Sequence, residues 1–175
     1  MHLRPVLMVI VLTGSAWAQA GPAPGPEVQK LDYFVGTWTG EGTVPSGPWG
    51  AGGKYSVTHT QQWLDGRFFL LCHSEVKMPS GLGGEMISDG FTGFDLDKKQ
   101  YISIGVDSRG GHGETHGSLD GDTWTWTDSA TYNGKEIHQR ETNKMLSPNS
   151  YRAVFEVSDD GVKWTVMMDT IVTKK

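Results

Sequence analysis

The sequence predicts an all-β fold: a single antiparallel up-and-down barrel of about ten strands, preceded by one short helix. Three observations point there. From Val35 onward Thr, Val, Trp, Tyr and Phe alternate with polar residues at the period of a half-buried strand. Turn chemistry recurs every ten or so positions, in connections short enough to force antiparallel neighbours. A chain of 175 residues suits one domain, and about ten short strands in one domain leave two exposed edges that closure into a barrel removes.

The elements follow in order. The opening MHLRPVLMVIVLTGSAWAQA has a basic Arg4, an apolar run from Pro5 to Leu12, and small-residue patterns at Ala16-Trp17-Ala18 and Ala18-Gln19-Ala20. It reads as a secretory signal peptide over residues 1–20, cleaved after Ala18 or Ala20. The run is too short to cross a hydrocarbon core of roughly 30 Å as a helix, so no stable membrane anchor is expected. Residues 21–26, GPAPGP, form a stiff linker, and 27–175 form the barrel domain. Within PEVQKLDYF, Leu31 and Phe34 lie at helical spacing behind Glu27, which predicts a helix over 26–34. Strands are expected near 35–43, 54–63, 67–76, 86–95, 100–109, 112–119, 122–131, 135–144, 150–157 and 162–172. Two Gly/Pro-rich loops, Val44 to Gly53 and Met78 to Gly84, are the natural rim segments.

Composition narrows the setting. Formal charge is −5, and removing Arg4 with the leader makes it −6. With no Lys/Arg cluster, nucleic acid and anionic membranes are poor partners. Cys72 is the only cysteine, so an intrachain disulfide is impossible and a buried, inert thiol is expected. No Asn-x-Ser/Thr acceptor is present, and a bacterial periplasm or exterior fits the leader.

Alternation also predicts which faces line the barrel. Tyr151, Ala153, Phe155 and Val157 share one face, and Val162, Trp164, Val166 and Met168 share another. A loop across Ser158 to Gly161 turns both inward. Tyr55, Val57 and Trp63, then Phe68, Leu70 and Cys72, repeat the pattern. A two-residue Asp120-Gly121 turn sets Gly117 against Trp124 and Thr115 against Trp126. A two-residue Asn133-Gly134 turn then puts Gln139, Glu141 and Asn143 on the face of the tryptophans, with Arg140 beside Thr127 and His138 beside Ser129 on the other.

Leu31-Asp32-Tyr33-Phe34-Val35-Gly36-Thr37-Trp38, a short helix running into Gly-x-Trp, resembles the opening of lipocalin-like, or calycin, barrels. Together with Leu64-Asp65-Gly66-Arg67-Phe68, Gly90-Phe91-Thr92-Gly93-Phe94-Asp95, Lys99-Gln100-Tyr101, Val106-Asp107-Ser108 and Gly117-Ser118-Leu119-Asp120-Gly121, it resembles an exported bacterial family, domain-of-unknown-function family 1579, over nearly the whole mature chain. That resemblance implies a fold and no activity. It also implies a barrel-closing role for Trp38, with its N–H on a carbonyl and its ring near a cation from the last strand. Calycins use an arginine there; Lys174 occupies the corresponding end of this chain. A fainter resemblance runs to nitrobindin, a calycin-like haem barrel whose iron is held by a histidine near the C-terminus. No histidine follows His138, which disfavours haem and leaves no cofactor expected, with His59, His73 and His138 the histidines able to reach inward.

Gly111-His112-Gly113-Glu114-Thr115-His116-Gly117 carries the letters of a zinc-protease motif in the wrong order. That motif needs two histidines four apart on a helix, and the glycines oppose a helix. On a strand such residues are about 13 Å apart and cannot share one zinc. With Trp124 and Trp126 inward, His112, Glu114 and His116 face solvent; one extra loop residue would reverse this. GAGGKY at Gly50 to Tyr55 lacks the first glycine and the hydroxyl of a phosphate loop. Asp95 to Lys99 lacks the later ligands of an EF-hand.

The functional expectation is a noncatalytic barrel binding a small amphipathic or apolar molecule. Trp124, Trp126, Gln139, Glu141, Tyr151, Phe155 and Trp164 are the candidate lumen residues, with no catalytic or metal site assigned. The alternatives are a filled barrel acting through its outer surface, and an enzyme using Glu141 or the row His112, Glu114, His116. An interior cavity larger than a few hundred cubic ångströms favours binding over filling.

Overall fold

A computed structural model describes residues 23–47, 50–132 and 134–175. The expected leader at residues 1–20 and the start of the expected linker lie outside the described residues. The helix comes first: α1 (Pro26–Gln29) continues directly into a 3-10 turn, Lys30–Phe34. Pro26 suits the first helical turn, where its missing N–H costs nothing. Val28, Leu31 and Phe34 turn one face inward and are buried.

Ten strands follow: β1 (Gly36–Val44), β2 (Gly53–Trp63), β3 (Phe69–Lys77), β4 (Glu85–Asp95), β5 (Gln100–Asp107), β6 (His112–Asp120), β7 (Thr123–Tyr132), β8 (Lys135–Ser147), β9 (Ser150–Ser158) and β10 (Thr165–Lys174). Each pairs antiparallel with the next, and β1 pairs with β10 to close the barrel. The expected all-β, up-and-down barrel is therefore the fold.

Two strand starts differ from expectation for identifiable reasons. β3 begins at Phe69 rather than 67 because Arg67 has φ 56° and its N–H closes a turn on the Leu64 carbonyl. β10 begins at Thr165 rather than 162 because the Asp160 carboxylate accepts the N–H groups of Val162 and Lys163, folding that stretch as an Asx turn. Between β6 and β7, Asp120 pairs with Thr123, so the two-residue turn is Gly121-Asp122 and not Asp120-Gly121. The register slides by two residues: Leu119 faces Trp124 and Gly117 faces Trp126. A slide of two preserves facing. Trp126 lies over Gly117 so closely that a Cβ there would stand 2.5 Å from its ring.

One end of the barrel is plugged by the helix. Phe34 packs edge-on against Trp124 and Tyr151 at centroid distances of 5.2 and 5.9 Å. Tyr101 packs edge-on against Trp124 at 4.6 Å, and Trp124 stacks on Trp126 at 6.1 Å. Trp38 is fully buried and donates its indole N–H to the Phe34 carbonyl at 2.8 Å, with Lys174 Nζ 5.2 Å from its ring centroid. Gly36, at φ 118°, makes room for this: a Cβ there would meet the Lys174 stem at 2.8 Å. Polar pins hold the plug from outside. Asp32 accepts from Trp63 Nε1 and Arg67 Nη2, both at 2.7 Å, and the Tyr33 hydroxyl reaches the Ser150 carbonyl at 2.8 Å.

Candidate functional site

Above the aromatic plug the barrel is not filled. A lower cavity of about 290 Å³ adjoins the plug, and an upper one of about 420 Å³ leads to the opposite rim. His59, Ser74, Gln139, Glu141, Tyr151 and Phe155 line both, which makes them compartments of one lumen.

The lower compartment has a polar wall, and strand alternation explains how it arises. Tyr55 and Val57 point inward, so His59 and Gln61 do as well. Leu70 carries the same parity to Cys72 and Ser74, and the two tryptophans carry it to Asp128. On β8 the inward row is Gln139, Glu141 and Asn143, set by the pairs Asp128 with Gln139 and Trp126 with Glu141. Short hydrogen bonds organise this belt. His59 Nδ1 lies 2.8 Å from Ser74 Oγ, and Asn143 donates to Glu141 Oε1 at 2.8 Å. The Cys72 thiol donates toward Gln61 and Thr92, Thr92 donates to Ser103 at 3.0 Å, and Thr115 donates to Asp128 at 3.2 Å.

Removal from water sets the protonation of these groups. Burial lowers His59 below its ordinary 6.5, partly offset by the Glu141 charge, so the ring is held neutral. Burial raises the Asp128 carboxyl, against a hydrogen bond from Thr115. Burial raises the Tyr151 phenol, and Glu141 pushes it further the same way. Burial also raises the Cys72 thiol, against Thr92, which keeps it a poor nucleophile.

The upper compartment is mostly apolar, with Tyr55, Val57, Val76, Met78, Leu82, Met86, Ala153, Met168 and Val172 in its wall. Its rim is assembled from the loops between strands. Leu82, in a short 3-10 turn at Ser80–Leu82, lies against Gly50 of the preceding rim loop. Arg109 reaches from the β5–β6 connection to the carbonyls of Gly83 and Glu85, at 2.9 and 3.4 Å.

Of the lumen residues expected from sequence, Trp126, Gln139, Glu141, Tyr151 and Phe155 line the lower compartment, while Trp124 sits beneath them in the plug, fully buried. Trp164 is the correction. A bulge lies between Val166 and Met168: Val166 faces Glu156, whereas Met168 faces Phe155. The extra residue, Met167, reverses facing along β10, so Met168 is inward while Trp164 and Val166 are outside. There Trp164 receives the Arg140 guanidinium at 4.2 Å, and Arg140 pairs with Glu156 at 2.7 Å. Four groups missed in the sequence reading, Gln61, Ser74, Asp128 and Thr115, follow from extending inward rows already identified.

The histidines divide sharply. His59 alone of those three able to reach inward does so; His73 binds Asp89 on the outer wall at 2.7 Å, and His138 faces Ser129 there at 3.1 Å. His112, Glu114 and His116 also lie outside, His116 bridging to Gln100 at 3.0 Å and approaching Glu114 at 3.6 Å. Among the described residues no three His, Cys, Asp or Glu side chains converge as metal ligands.

Comparison with known proteins agrees on the architecture. The structure is similar to the crystal structure of Rv2717c from M. tuberculosis, with a TM-score of 0.60 at 13% identity, covering 86% of this chain and 98% of that one. At that identity the likeness is one of fold. No functionally curated protein matches the chain. The family model described as protein of unknown function (DUF1579) matches residues 23–174, and the chain belongs to that family.

Proposed function

We propose that this protein is a noncatalytic barrel that encloses one small amphipathic molecule. The observation that carries this reading is the unfilled lumen, a polar compartment of about 290 Å³ opening into an apolar one of about 420 Å³. Protein interiors close-pack to the exclusion of such voids, so a barrel built only for stability would fill this space. The order of the compartments suits a molecule whose polar end lies against His59, Gln139 and Glu141 and whose apolar end lies toward the methionine-rich rim. The void weighs against a filled barrel working only through its outer wall. A neutral His59 hydrogen-bonded to Ser74 has the protonation state of a general base, so the preference for binding over catalysis rests on the enclosed void and not on this histidine.

Native mass spectrometry of protein purified from its own host tests the reading: one retained small molecule per chain is expected, and uniformly bare protein that takes up no added amphiphile would contradict it. Export from a bacterial cytoplasm belongs to the same proposal, supported by the signal-like residues 1–20. N-terminal sequencing of the mature protein should begin at Gln19 or Gly21; an intact Met1 in exported material would sink that part.

A further inference from the structure

The wall of the lower compartment carries carboxyl groups and, among the described residues, no Lys or Arg head group. Its carboxyl groups are Glu141 and Asp128. Arg140 borders the compartment, but its guanidinium is committed to Glu156 and Trp164 on the outer wall. Asn143 is only 5% exposed and donates one amide N–H to Glu141, while its Oδ1 and the Nε1 of Trp124, the residue paired with it on β7, are both buried out of reach of the cavity without a partner among the described residues. His59 Nε2 faces the same space with no protein partner among the described residues. When Nδ1 donates to Ser74 Oγ, Nε2 is one more acceptor.

Resting on the binding reading above, we infer that the ligand is an amine: a protonated primary or secondary ammonium head seated against Glu141 and His59 Nε2, with an apolar tail directed past Val57, Val76 and Met168. An alkylammonium offers up to three N–H donors and one positive charge, which matches a carboxylate and an imidazole nitrogen. A carboxylic acid or phosphate head would bring like charge to Glu141. An alcohol can satisfy one acceptor but supplies no charge. Burial raises the Asp128 carboxyl, a cost that a nearby ammonium offsets.

Calorimetric titration with octylamine, octan-1-ol and octanoate at pH 7.5 tests this, using wild type, Glu141→Gln and, as a control for overall acidity, Glu114→Gln on the outer wall. The amine should bind wild type about tenfold to a hundredfold more tightly than the alcohol, as expected for a charge-assisted hydrogen bond, with octanoate weakest. Glu141→Gln should erase the preference and Glu114→Gln should keep it. Should Glu141→Gln fail to fold, Asp128→Asn should lower the preference in the same direction. Equal binding of amine and alcohol, or a preference that survives both lumen substitutions, overturns the amine assignment and leaves the binding barrel standing. Failure of all three probes to bind wild type overturns both.

Discussion

His59 illustrates how a lumen residue reports on its surroundings. It faces Ser74 from β3 and Glu141 from β8, and burial holds it neutral below its ordinary 6.5. The unfolded chain takes up a proton at that ordinary value before the folded chain does. Stability contributed at this site is therefore intact above pH 6.5 and falls as pH drops through it toward the lower folded value. Thermal unfolding from pH 7.5 to 5 should show a decline that is shallower in His59→Gln; parallel profiles would place His59 in contact with water. Trp164 offers the opposite check. Its indole lies over Arg140 on the outer wall, so Trp164→Ala should cost about 0.5–1 kcal/mol in urea unfolding and leave amphiphile affinity unchanged. A loss of affinity would return Trp164 to the lumen. The residue pattern alone misplaces this side chain because one extra residue, Met167, inverts facing without any change in composition. His59 and Gln61 were readable, since they continue the row of Tyr55 and Val57. His59 is among the histidines able to reach inward, whereas Gln61, a polar residue, carries no inward signal of its own.

The strands were the most legible elements, since each alternates cleanly and sits between turn residues. The β6–β7 turn was located to within one residue, and its error was harmless because the register moved by two. The helix was visible in Leu31 and Phe34, but its plugging of the barrel and its pinning by Asp32 were not, because Trp124, Tyr151, Trp63 and Arg67 are distant in sequence and only the fold brings them together. Asp32→Ala removes the acceptor of both, on the exposed side of the plug, and should cost about 1–2 kcal/mol in urea unfolding. No measurable loss would mean that packing of Phe34 holds the plug unaided. At the other end, Arg109 ties the β3–β4 loop to the rim through two carbonyls. Arg109→Ala should speed amide exchange across residues 79–85 and hasten release of a bound amphiphile, leaving exchange in β8 and β9 as it was. Unchanged exchange in that loop would show that Leu82 against Gly50 is sufficient to hold it.

At the scale of the whole molecule, the barrel combines a packed aromatic floor, a polar belt and an apolar mouth along one axis. Closure was legible from the number of short strands. The cavity was not, because whether side chains meet across a lumen depends on strand tilt and on which inward residues are small or polar. Thr115, Ser103, Ser74 and Ala153 all leave room that larger residues would occupy. The most direct measurement is fluorescence titration with N-phenyl-1-naphthylamine, comparing wild type with Ala153→Phe, which places a ring in the upper compartment. Saturable binding at one site per chain, with emission shifted to the blue and weakened about tenfold or more by Ala153→Phe, is expected if the lumen is the binding site. Binding that persists undiminished in a folded Ala153→Phe protein, or is absent from wild type, would contradict it.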